Sequence, residues 1–94
     1  MAANTAILLA GLEEYQKRLL QHLSQLEQEY QQLERRWQAF SAVYEGTAAE
    51  QFRAGWQRTA QGFRSYVEQG RSINTILEER ITSLREANRA EGNI

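Results

Sequence analysis

Leu12, Leu19, Leu26, Leu33 and Phe40 recur every seven residues in the first half of the chain. Leu9, Leu23, Tyr30, Trp37 and Tyr44 form an interleaved column whose one polar member is Gln16. Alternating steps of three and four place both columns on one face of a helix. Glutamate, glutamine and arginine fill most of the positions between them, and all three are good helix formers. The pattern predicts a helix over residues 5–44, about 60 Å long at ~1.5 Å per residue.

The second half repeats the logic. Trp56, Phe63, Leu77 and Leu84 are seven-spaced, with Gly70 in the column's middle place. Phe52, Tyr66 and Ile73 read as the partner column, joined from the side by Val67 and Ile81. The spacing predicts a second helix over residues 48–89, with 90–94 outside the pattern and expected to fray. Between the helices, Gly46 suits the left-handed residue that closes a helix. Thr47-Ala48-Ala49-Glu50 reads as a capping box, in which the Thr47 hydroxyl accepts from the Glu50 amide and the Glu50 carboxylate reaches back. The turn is therefore placed at Glu45–Thr47. Helices of nearly equal length with a short break between them predict an all-α antiparallel hairpin, a single domain over 1–94. Trp37, Tyr44, Phe52 and Trp56 lie on both sides of the turn and are expected to pack there as an aromatic plug.

Composition narrows the chemistry. The 94 residues carry 11 basic and 12 acidic side chains, a net charge of −1 that gives no electrostatic basis for nucleic-acid binding. Cysteine and proline are absent, so disulfides, thiolate metal sites and proline breaks are excluded. The single histidine, His22, cannot make a two-histidine metal site and reads as a boundary residue of the helical seam. Glu13-Glu14 and Glu78-Glu79 are adjacent pairs, which on a helix point about 100° apart and do not share a proton site. Nothing resembles a nucleophile with its base, so no catalytic residue, cofactor or metal is assigned. The apolar run at 6–12 lacks a preceding basic residue and is followed at once by glutamates, unlike a cleaved signal peptide. No apolar stretch approaches the ~18–20 residues that cross a bilayer, so stable membrane insertion is not expected.

Two amphipathic helices cover only part of each other's apolar faces, and a chain this small without disulfide or metal usually needs a partner. Pairing of two hairpins into a four-helix bundle answers that need. The expected seam is Leu19, Leu23, Leu26, Tyr30, Leu33, Trp37, Gly55, Gly62, Phe63 and Tyr66. Gly55 and Gly62 share a column with Ala48, which reads either as close approach of another backbone or as room for Trp56 and Phe63 inside the hairpin.

The string Tyr44-Glu45-Gly46-Thr47-Ala48-Ala49-Glu50-Gln51-Phe52, followed by Trp56, resembles the turn of the WXG family of small type VII secretion substrates, relatives of the early secreted antigenic target. Gly46, Ala48, Ala49, Phe52 and Trp56 match its aromatic-x-Gly turn, small residues and following aromatics in order and spacing; Tyr44 stands where the hallmark tryptophan would be. The resemblance implies a non-enzymatic helical hairpin that pairs as a homodimer, or as a heterodimer with a related small protein, and leaves the cell without a cleaved signal. It also implies contact with the type VII secretion ATPase. The turn motif assigned is Tyr44, Gly46, Phe52 and Trp56, with Thr47 and Glu50 from the capping-box reading. The family's Tyr-x-x-x-Asp/Glu export signal has no match after Leu84, where tyrosine is absent; Tyr30-Gln31-Gln32-Leu33-Glu34 fits its letters but lies inside the first helix. The alternative reading is a cytoplasmic hairpin chaperone or adaptor of a secretion system, itself not exported.

Overall fold

The computed structural model describes residues 2–92. Two helices, α1 (Ala2–Ser41) and α2 (Thr47–Gly92), run antiparallel as a hairpin joined by residues 42–46. Both extend past the sequence boundaries at their outer ends. No proline stops them, and Arg89, Ala90 and Glu91 are good helix formers, so α2 continues through the stretch expected to fray. Of that stretch, only 93 and 94 lie outside the described residues. At the inner end α1 stops at Ser41, three residues before Tyr44. The Val43 and Tyr44 amides both donate to the Phe40 carbonyl at 3.1 Å, closing the last turn.

Over the described residues the helices pack as two compact units, 2–22 with 70–92, and Leu23–Gln69. In the first, Leu9 and Ile81 are buried and Leu12, Leu77 and Leu84 half-buried. A polar layer interrupts this stripe: Gln16 Nε2 donates to Asn74 Oδ1 at 3.1 Å and to Glu78 Oε2 at 3.0 Å. Arg85 Nε donates to Glu13 across the same pair of helices at 3.4 Å.

In the turn-proximal unit, Leu23, Ala49, Ala60 and Val67 are buried. The column of α2 facing α1 in this unit is therefore Ala60 and Val67. Phe52, Tyr66 and Ile73, expected there, are 47%, 51% and 45% exposed. Two three-four stripes share the Trp56–Phe63 column, and periodicity alone does not choose between them. Volume does: α1 presents Tyr30 and Trp37, and small residues opposite let the backbones approach at interior packing density. A comparable correction applies on α1, where Leu33 and Phe40 are 52% and 43% exposed while Glu34 and Ser41 are half-buried. A straight helix drifts about 20° per heptad against a seven-residue column, so by the last heptads that column has rotated off the seam.

Candidate interaction surface

The turn is built from both helices. Gly46 has φ of 106°, a left-handed conformation that glycine adopts without strain. Its carbonyl accepts the Glu50 amide at 3.1 Å, the first helical bond of α2. Thr47 is thus already the first residue of the helix, and the capping box does not form, because the Glu50 amide is taken by Gly46. The Glu50 carboxylate pairs forward with Arg53 Nη1. Arg53 Nη2 in turn donates to the carbonyls of Ser41 at 2.8 Å and Tyr44 at 2.7 Å. An arginine of α2 caps the carboxyl end of α1, supplying donors to carbonyls that a helix end leaves unpaired. The sequence pattern missed this role, because Arg53 shares the column of Ala60 and Val67, which periodicity did not single out as buried.

Trp37, Tyr44, Phe52 and Trp56 do gather at the turn, linked through Phe40. Trp37 meets Phe52 at 4.7 Å and Trp56 at 6.5 Å between ring centroids, and packs edge-on against Phe40 at 4.9 Å. Tyr44 reaches the cluster by way of Phe40 at 6.0 Å. Tyr30 extends it, stacking on Trp56 at 6.1 Å and on Phe63 at 5.1 Å. Such centroid distances suit attractive aromatic pairs. The Trp56 indole Nε1 donates to Glu34 Oε2 at 2.9 Å. Beside it, a hydrogen bond to the Tyr30 hydroxyl, aided by the nearby Glu34 charge, holds the Arg64 guanidinium above its ordinary value.

The residues assigned to a seam divide by exposure. Leu23 is buried, and Leu19, Leu26, Tyr30, Trp37, Phe63 and Gly55 are half-buried. Leu33, Tyr66 and Gly62 are exposed. A methyl group added at Gly62 would meet nothing within 4 Å, and one at Gly55 only the Arg58 Nη2 at 3.9 Å. Space for Trp56 and Phe63 therefore does not explain Gly62. Among the described residues no helix is long and apolar enough to cross a membrane.

An antiparallel hairpin with an aromatic-lined glycine turn defines the class: a small all-helical protein. The family model for WXG100, proteins of 100 residues with WXG, matches residues 6–89, and the chain belongs to that family of small helical proteins of type VII secretion. No curated protein and no solved structure gives a significant match.

Proposed function

We propose that this chain is a type VII secretion substrate, or the co-exported half of a substrate pair, and acts by protein contact rather than catalysis. The family match over residues 6–89, coinciding with the hairpin and its aromatic turn, carries the reading. In the family, members pair with related small proteins, and the surface of this chain supports pairing here. It exposes 7320 Å², against roughly 5,600 Å² from the surface–mass relation for a folded monomer of 10.9 kDa. The excess of about 1,700 Å² exceeds the roughly 800 Å² per partner of a standard interface. Two hairpins sharing that area would form a four-helix bundle, presented to the secretion ATPase as a unit. No cofactor or nucleic acid takes part.

Export is tested by comparing the protein in cells and in medium, with and without the type VII ATPase. ATPase-dependent appearance in the medium is expected. Retention in both strains, with a cytoplasmic marker absent from the medium, would overturn export in favour of an intracellular hairpin adaptor.

A further inference from the structure

Charged positions beside the apolar stripes follow a rule of their own. On α1, Glu13, Leu20, Glu27 and Glu34 are seven-spaced; on α2, Arg64, Arg71, Glu78 and Arg85 are seven-spaced. Among residues 2–22 and 70–92, Arg85 Nε meets the Glu13 carboxylate across the helices at 3.4 Å. In the turn-proximal unit Arg64, hydrogen-bonded to the Tyr30 hydroxyl, also lies in the field of Glu34. Glu13 with Arg85 and Glu34 with Arg64 are therefore rungs of one antiparallel register. In sequence the same step sets Glu27 with Arg71 and Leu20 with Glu78. Opposite charges flanking an apolar seam are the positions through which paired helices choose register and orientation.

One rung breaks the rule. The others carry glutamate on α1 and arginine on α2, but at this one leucine replaces the glutamate and glutamate replaces the arginine. Burial does not explain the change. Leu20 is 44% exposed, and Glu78 is exposed as well, accepting the Gln16 amide at 3.0 Å. Leu20 is uncharged, so the reversed sign of Glu78 meets no like charge on its own rung.

The reversal matters in the wrong registers. Sliding one helix past the other by a heptad keeps every seven-spaced apolar column facing its partner, so periodicity alone tolerates the error. Slid one way, Glu78 comes against Glu13; slid the other way, it comes against Glu27. Each slip keeps one opposite-charge rung, Glu27 with Arg64 or Glu34 with Arg71, and sets a like-charge rung beside it. The native register has three opposite-charge rungs and no like-charge one. An exposed ion pair adds little stability by itself, but a charge that repels in both competing states and not in the native one widens the gap between them.

We propose that Glu78, set against the neutral Leu20, is the register key of the hairpin: its reversed charge rejects a one-heptad slip in either direction. A ladder of four identical Glu–Arg rungs would hold the native register with four pairs and either slip with three. The sequence as it stands exchanges one native pair for a repulsion in each slipped state. This role is internal to one chain and does not depend on export or on a partner.

The chain has no cysteine, so spin labels at Ala10→Cys and Thr75→Cys, both exposed positions, report register without background. A seven-residue slip displaces one helix along the other by about 10 Å, which double electron–electron resonance resolves. Labelled chain is diluted into unlabelled chain so that only distances within one molecule are read. Arg53→Met is included throughout to remove the clamp at the turn. With the wild-type charges a single distance is expected. Glu13→Arg with Arg85→Glu exchanges a rung, preserving the native pair and leaving Gln16, Asn74 and Glu78 untouched. It converts only the first slip from repulsive to attractive, so a second, shorter distance is expected and no longer one. Leu20→Glu with Glu78→Arg completes the ladder and is expected to add both. One unchanged distance in both variants, with helical circular dichroism intact, would overturn the key and leave register to side-chain packing. Shorter and longer distances together in the exchanged-rung variant would overturn it as well. With Arg53 in place, the exchanged rung is expected to add a concentration-independent slow phase to refolding as chains leave the slipped hairpin; refolding identical to wild type would count against the key.

Discussion

The indole of Trp56 and the carboxylate of Glu34 meet across the hairpin at 2.9 Å, joining α2 to α1 through a charge-assisted bond beneath a run of stacked rings. Both residues are half-buried, so the bond is partly shielded from water and ties a large aromatic surface to one orientation.

Truncation here should therefore be costly. Trp56→Ala is expected to lower stability by about 3 kcal/mol, near the lower end for large-to-small aromatic changes because the ring is only half-buried. Trp56→Phe keeps most of the packing and should lose about 1–2 kcal/mol with the hydrogen bond. Urea denaturation followed by helical circular dichroism measures both. A loss under about 1 kcal/mol for Trp56→Ala would mean that the cluster does not hold the helices together.

Arg53 predicts a different pattern. Its guanidinium reaches the Ser41 and Tyr44 carbonyls from the opposite helix, using the fixed fork of donors that arginine carries. Arg53→Met retains the apolar stem and should cost roughly 1–3 kcal/mol through the lost hydrogen bonds. Amide exchange should quicken around residues 42–46 more than elsewhere. Uniform exchange across both helices would contradict a local capping role.

Glycine positions should respond with opposite signs. Gly46 and Gly11 both have open space where a side chain would begin, but only Gly46 has positive φ. Gly46→Ala should destabilise by about 1–2 kcal/mol from backbone strain. Gly11→Ala, inside α1, should stabilise by roughly 1 kcal/mol through helix propensity. Thermal melts of the two variants compare conformation with space directly.

The polar layer formed by Gln16, Asn74 and Glu78 supports a fourth experiment. Polar residues in a helical seam trade stability for register. Gln16→Leu with Asn74→Leu should raise the denaturation midpoint while broadening NMR resonances of Leu12, Leu77 and Ile81 as alternative registers become populated. Sharp spectra in the double variant would show that register is set elsewhere.

Heptad columns, the absence of proline and a glycine near the middle were enough to read two helices, their antiparallel pairing and the aromatic gathering at the turn. The family resemblance rested on the same turn residues, Gly46, Phe52 and Trp56. The choice of stripe on α2 was not legible, because Phe52–Tyr66–Ile73 and Ala60–Val67–Ile81 satisfy one periodicity equally well. Bulk misled the reading near the turn: Phe52 and Tyr66 looked like core, yet Ala60 and Val67 are the buried residues. The capping box failed for a related reason. Its letters were present, but which carbonyl received the Glu50 amide depended on where the chain entered α2.

By itself, then, the sequence determined what local spacing and propensity control: helical state, hairpin topology and a turn centred near Gly46. Only the tertiary structure decided which face met which, that Arg53 ends α1, and that Gly62 opens outward. Those outcomes depend on volumes and hydrogen-bond partners contributed by residues distant in the chain, and periodicity along one helix carries no information about them.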